Sequence, residues 1–265
     1  MTKPKAFTLV ELLVVISIIA LLMAILMPAL ARVRKQAKLV ICQTNLRQWG
    51  SIFAMYTGEN DGYFQPGYLQ NPLTEESKPG EWLAALKPYY KDMDLAYCPM
   101  ATKCWAEGTL PPFASWCAQG WYQVAEGEYG SYGINYWVTN PPEGRSYYEE
   151  KYYWRRADVS VAARVPLFLD SNWVGRHPHA TDFPPENIYD YGGPPDPGIK
   201  DFSIDRHGGG TLNGVFLDFS VQRIGIKQLW TFMWHRTYDL SGPWTSIGGV
   251  KPNDWPEWMK YFPEY

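Results

Sequence analysis

The chain has no basic excess. Its 24 lysines and arginines stand against 27 aspartates and glutamates, for a net charge of −3 and an isoelectric point near 5.8. The electrostatic footprint of a nucleic-acid binder is therefore missing. There is no G-x-S-x-G elbow, no H-E-x-x-H pair and no glycine-rich phosphate loop. The sequence marks of a serine hydrolase, a zinc peptidase and a nucleotide-binding enzyme are thus absent, and neither catalysis nor a cofactor is expected. The four cysteines include no C-x-x-C pair, the spacing from which many zinc sites start, so no metal is assigned. No internal repeat is present, which sets aside repeat architectures. Charge is also missing locally: between residues 7 and 30 the only formally charged side chain is Glu11.

What is present fits a folded body with a greasy end. Hydrophobic residues make up 46% and charged residues 19% of the 265, a balance that supports a core rather than disorder. Mean hydropathy is nevertheless −0.31, so the apolar residues are concentrated. Residues 7–30, as a helix, would span about 36 Å at ~1.5 Å per residue, enough for a hydrocarbon core of about 30 Å. The uncharged run 12–27 is longer than the roughly 7–15 apolar residues of a secretory signal. It reads as a membrane anchor. Glu11 is then costly, by on the order of 2.5–3.5 kcal/mol at a bilayer centre and less near its edge. The carboxylate either reaches the headgroups or has a partner.

The helix is expected to continue past the membrane. Val33, Ala37, Val40, Thr44, Leu46, Trp49, Phe53 and Tyr56 recur mostly at steps of three and four with one break at Thr44, an amphipathic stripe. Gly58 marks its stop, and Pro28 removes one backbone donor on the way. Beyond lie a short helix over 81–90, strands over 129–138 and 164–170, and a Pro/Gly-rich loop over 174–200. The clearest strand covers 215–221, preceded by Gly208–Gly209–Gly210 as a hairpin connection, and 226–235 reads as a last short helix.

Ala6-Phe7-Thr8-Leu9-Val10-Glu11-Leu12-Leu13, preceded by Lys3 and Lys5, resembles the processing site of type IV prepilins and type II secretion pseudopilins. The resemblance implies that a prepilin peptidase cuts between Ala6 and Phe7 and methylates the new amine. It makes Glu11 the family's near-constant acid and Pro28 the helix-softening proline that many pilins carry. Ala6 stands where the family usually has Gly. The implied fold is α+β, a pilin lollipop: leader 1–6, transmembrane and stalk helix 7–57, and a small antiparallel-sheet head over 58–265 with long loops. The implied partners are other pilin-like subunits, the peptidase, the secretion or pilus machinery and the inner membrane, with no nucleic acid. The implied topology is single-pass, with the N-terminus cytoplasmic and the head periplasmic or extracellular. The positive-inside count points the other way, since Arg32, Arg34, Lys35 and Lys38 follow the apolar run.

A second resemblance, to pseudopilin-like proteins of planctomycete-type bacteria, runs through several short segments. They are Cys42-Gln43-Thr44-Asn45-Leu46-Arg47-Gln48, Tyr97-Cys98-Pro99, Ser131-Tyr132-Gly133-Ile134-Asn135, Val165-Pro166-Leu167-Phe168-Leu169-Asp170 and Arg206-His207. That subgroup ends in a His-to-Asp hairpin signature with an Asp-Gly pair. Here ten residues separate His207 from Asp218, and Phe219 replaces the Gly, so the final turn is expected to differ. His207 and Asp218 are read as a structural pair across the hairpin.

An extracytoplasmic head favours disulfides among Cys42, Cys98, Cys104 and Cys117. The favoured arrangement has Cys42 or Cys98 joining stalk to head and Cys104–Cys117 closing a small loop. Free thiols and a metal site are the alternatives. His177 and His179 flank Pro178 near Asp170 and Asp182, and Asp190, Asp196 and Asp201 are spread out; neither set is assigned an ion. The aromatics are mainly core material, with a glycan- or partner-binding surface at Trp105, Trp121, Trp154 and Trp173 as the competing use. The two resulting functions are a filament subunit and a membrane-tethered or filament-tip glycan-binding module for a polysaccharide.

Overall fold

A computed structural model of the protein describes residues 8–67, 81–117, 129–190 and 198–265. Ala6, Phe7, Trp121, Tyr122 and Asp196 lie outside the described residues. The chain divides into two units, Met1–Val40 and Ile41–Tyr265. Helix α1 covers Leu9–Glu59 and runs unbroken through Pro28, ending two residues beyond the expected boundary. In the first unit residues 8–38 are exposed throughout, with Leu21 at 65% and Ile25 at 68%. Among the described residues, α1 is the one helix long and apolar enough to cross a membrane, and none of its apolar window is buried.

In the second unit α1 carries a buried face made of Cys42, Leu46, Trp49, Phe53 and Thr57. Steps of four, three, four and four keep these residues on one side of a 3.6-residue helix. The stripe read from sequence is thereby corrected in its first half: Val33, Ala37, Val40 and Thr44 are exposed. The buried face starts at Cys42, which fills a core position that the sequence reading reserved for pairing. Trp49 anchors this face. Its ring centroid lies 5.1 Å from those of Trp82 and Tyr90 and 5.2 Å from that of Phe168, and its indole N–H donates to the Leu95 carbonyl at 2.9 Å. Tilted and edge-on ring pairs add about 0.5–1.5 kcal/mol each beyond the area they bury.

The remaining elements are short. Helix α2, Trp82–Leu86, passes into a 3₁₀ turn at Lys87–Tyr89. Strands β1 (Lys103–Cys104), β2 (Ala114–Cys117) and β3 (Tyr129–Gly130) make a small sheet, with β1–β2 parallel and β2–β3 antiparallel. The main sheet has the order β6-β4-β5-β7-β8, with β4 at Tyr132–Asn135, β5 at Pro166–Asp170, β6 at Gly175–Arg176, β7 at Thr211–Phe216 and β8 at Val221–Gly225. All its pairs are antiparallel except β4–β6. The architecture is α+β and pilin-like: a long N-terminal helix followed by a head of mixed, mostly antiparallel sheets. The centre of the sheet is β5, buried along its whole length, so its last residue, Asp170, is delivered into the core.

Two expected elements change. The strand over 215–221 is a hairpin instead: β7 ends at Phe216, β8 begins at Val221, and the turn lies between. Alternating apolar residues continue through a turn whose own side chains pack, which is why periodicity missed it. Phe219 sits at φ 62°, the left-handed position after a type I turn that glycine fills without strain, so the turn keeps the glycine conformation despite the Phe. The helix over 226–235 is a 3₁₀ segment, Ile226–Thr231.

Glu81 is buried at the start of α2 and accepts a 2.5 Å hydrogen bond from the Tyr136 hydroxyl. Burial pushes its carboxyl up to about 7, against hydrogen bonds from Tyr136 and the Trp82 backbone that lower it. The folded state therefore holds a proton that the unfolded chain releases near pH ~4.3. Stability from this group is full below that pH and declines as pH rises towards about 7, by on the order of 3 kcal/mol. Glu81→Gln should match the parent at pH 4 and melt at a higher temperature at pH 8. A difference in melting temperature that does not change with pH would refute this role.

Candidate functional site

Two places concentrate chemistry. The first is the start of α1. Thr8 precedes the helix, and its backbone N–H and hydroxyl both donate to Glu11 Oε2, at 2.9 and 2.7 Å. The Glu11 backbone N–H donates back to Thr8 Oγ1 at 3.2 Å. Thr8-Leu9-Val10-Glu11 is thus a reciprocal capping box, which satisfies donors that a helix start leaves orphaned. The T-x-x-E spacing announces it in the sequence, and Thr8 is thus a partner that Glu11 finds within its own chain.

The second place is a buried cluster in the head. Cys42 comes from α1, Cys98 from the turn before β1, Asp170 from the end of β5 and His207 from the turn before β7. Their donor atoms all lie within 4.8 Å of one another. Cys42 Sγ is 3.7 and 3.8 Å from the two Asp170 oxygens. His207 Nε2 is 3.5 Å from Cys98 Sγ and 3.1 Å from Asp170 Oδ2. Around these, the Tyr132 hydroxyl and the Asn213 side-chain amide each donate to Cys42 Sγ at 3.3 Å, and the Asn213 backbone N–H donates to Asp170 Oδ2 at 2.8 Å. Arg206, fully buried, donates to Asp170 Oδ1 at 3.3 Å.

The electrostatics follow from burial opposed by pairing. Burial works to raise the Asp170 carboxyl, but the His207 and Arg206 charges and the Asn213 N–H outweigh it and hold the group below its ordinary value. Burial works to lower His207, and Asp170 overrides it and lifts the imidazole to about 9. Burial also pushes the Cys42 thiol well up, with Cys98 and Asp170 adding to it. Cys98 goes down to about 7, because hydrogen bonds from Cys42 and His207 and the Arg206 charge overcome burial.

Several sequence expectations are corrected here. His207 pairs with Asp170, not with Asp218, which is exposed and instead accepts from the Ser220 backbone and hydroxyl inside the hairpin turn. Asp170 reaches His207 because β5 lies beside β7 in the sheet, an adjacency that sequence distance hides. Cys104 and Cys117 form the expected disulfide, joining the adjacent strands β1 and β2, whereas Cys42 and Cys98 are free and buried. No disulfide therefore joins stalk to head through either of them; both sulfurs face Asp170 and His207 instead. The cluster mixes two cysteines with an aspartate and a histidine from four distant segments, a combination that neither the cysteine spacings nor the His177–His179 loop announces.

Residues 1–27 match the family of the prokaryotic N-terminal methylation motif. The match supports a type IV pilin- or pseudopilin-like protein. No curated protein and no solved structure matches the chain. Two of the four tryptophans expected at a binding surface pack against the core. Trp154 donates its indole N–H to the Trp234 carbonyl at 3.1 Å and packs against both parts of the core. Trp173 packs against the core and carries the Arg176 guanidinium over its ring. Trp105 is 36% exposed. Trp121 lies outside the described residues.

Proposed function

We propose that the protein is a structural subunit of a type II secretion or type IV pilus-like filament, cut before Phe7 by a prepilin peptidase and assembled through its N-terminal helix. One observation carries the reading: a methylation motif stands at the head of a membrane-length helix that its own chain leaves bare. Apolar side chains exposed on every face need another apolar environment. Lipid of the inner membrane supplies it before assembly, and the helices of neighbouring pilin-like subunits supply it in the filament. The N-terminus is then cytoplasmic and the head periplasmic or extracellular, and the Cys104–Cys117 disulfide is in keeping with an oxidising space.

Protein purified from its native host should begin at a methylated Phe7, with residues 1–6 removed. Intact-mass measurement reads both changes at once, and a mature chain that still begins at Met1 would overturn the proposal. Because Ala6 occupies the position before the cut, Ala6→Gly should raise the processed fraction wherever processing is incomplete.

A further inference from the structure

The geometry points to a closed, structural zinc site made by Cys42, Cys98, Asp170 and His207. The first argument is distance. Tetrahedral zinc with bonds of about 2.3 Å to sulfur, 2.05 Å to nitrogen and 2.1 Å to oxygen separates its ligands by about 3.6 Å for S···N, 3.4 Å for N···O and 3.6 Å for S···O. With Asp170 Oδ2 as the oxygen ligand, the head places the corresponding atoms 3.5, 3.1 and 3.8 Å apart. Three of the six ligand–ligand separations thus lie within about 0.3 Å of those expected, and all four donor atoms lie within 4.8 Å of one another.

The second argument is convergence. In a nucleophilic relay the thiol meets one imidazole nitrogen and the carboxylate meets the other. Here Cys98 and Asp170 both approach His207 Nε2, while Nδ1 is buried without a hydrogen-bond partner among the described residues. Two acceptor groups crowding one ring nitrogen serve no proton relay, but they are what ligands of a common ion look like. A disulfide between Cys42 and Cys98 would leave Asp170 and His207 unexplained.

The surroundings match a metal thiolate. The Asn213 amide donates to Cys42 Sγ, and the Tyr132 hydroxyl lies 3.3 Å from both that sulfur and the Tyr97 carbonyl, surroundings that a thiolate satisfies better than a neutral thiol. Two thiolates and a carboxylate carry three negative charges, which a divalent ion and the Arg206 guanidinium offset, so no net charge is left in the core. Cys42, Cys98 and Asp170 have no exposed surface, which leaves no open coordination position for substrate and makes the site structural rather than catalytic. Sulfur and imidazole donors favour zinc over calcium or magnesium.

The test uses the full-length chain, extracted in mild detergent without chelator. Elemental analysis should find about one zinc per chain, with no retained calcium or magnesium. After zinc removal under reducing conditions, added Co²⁺ should give the thiolate charge-transfer band and the intense visible band of tetrahedral cobalt. Zinc content should fall at least tenfold in His207→Ala. Should that variant fail to fold, the parent protein decides alone: Cys42 and Cys98 should resist alkylation until a chelator is added and then react without reductant. A chain with neither zinc nor a tetrahedral cobalt spectrum overturns the inference, as does a Cys42–Cys98 disulfide in the exported protein.

Discussion

Replacing Arg206 with alanine should cost the head on the order of 3–5 kcal/mol, the loss seen when one partner of a buried, hydrogen-bonded charge pair is removed. The guanidinium is wholly buried and uses all three of its nitrogens. Nε donates to the Pro112 carbonyl at 2.9 Å. Nη1 donates to the Ser131 carbonyl and to Asp170. Nη2 donates to the carbonyls of Ala114 and Ser171 at 3.2 and 3.1 Å and to the Asn172 side chain at 3.4 Å. One side chain thus satisfies backbone acceptors just before and at the start of β2, just before β4 and just beyond β5. Removing it strands several buried carbonyls and leaves Asp170 without one of its two cationic partners. Lysine restores a point charge but not the planar fork, so Arg206→Lys should recover less than half of the loss. Thermal melting of the full chain reads both variants. A loss below about 1 kcal/mol for alanine would mean that water replaces the guanidinium and that the core is not organised around it.

The parts of this fold that could be read from sequence are those with local causes. The apolar run, the Gly58 neighbourhood and the Trp82–Leu86 pattern each depend on residues within a few turns of one another, and α1, its end near Glu59 and α2 follow. The core of the 164–170 strand also emerged, as β5. The hairpin after Phe216 did not, because Leu217 and Phe219 extend the strand's apolar alternation into the turn. The cysteine–aspartate–histidine cluster was hidden for a different reason: its members, at positions 42, 98, 170 and 207, are separated by 37 to 165 residues along the chain, and only the fold brings them together. Each of them had already stood in one of the short segments that carry the resemblance to pseudopilin-like proteins. Their individual weight was visible, and their contact was not. At the start of the chain the capping box is legible as T-x-x-E, because both of its residues lie within one helical turn.

That capping box sharpens what Glu11 variants should do. In a filament core of low dielectric, an unpaired carboxylate and the unpaired amine of a neighbour's Phe7 would each be expensive, and pairing them favours one axial register over others. Glu11 also closes its own helix start, with both bonds from Thr8 falling on Oε2. A carboxylate has about four acceptor sites, so the cap and a neighbouring amine can be served together. The two roles come apart by substitution. Glu11→Gln keeps a side chain that can close the box but removes the charge; Thr8→Val removes the cap and keeps the charge; Glu11→Ala removes both. All three should insert into the membrane, since losing a charge only eases insertion, and all three should still be cut before Phe7. Incorporation into filaments should fall at least about tenfold in Glu11→Ala and nearly as far in Glu11→Gln, equivalent to a loss of about 1.4 kcal/mol or more per subunit contact. Thr8→Val should lose less, because an N-cap contributes only about 0.5–2 kcal/mol to a helix whose membrane burial already holds it together. Counting subunits in sheared filaments against subunits left in the membrane measures the effect. If Glu11→Gln assembles as the parent does while Thr8→Val does not, the acid serves its own helix end and sets no register between neighbours.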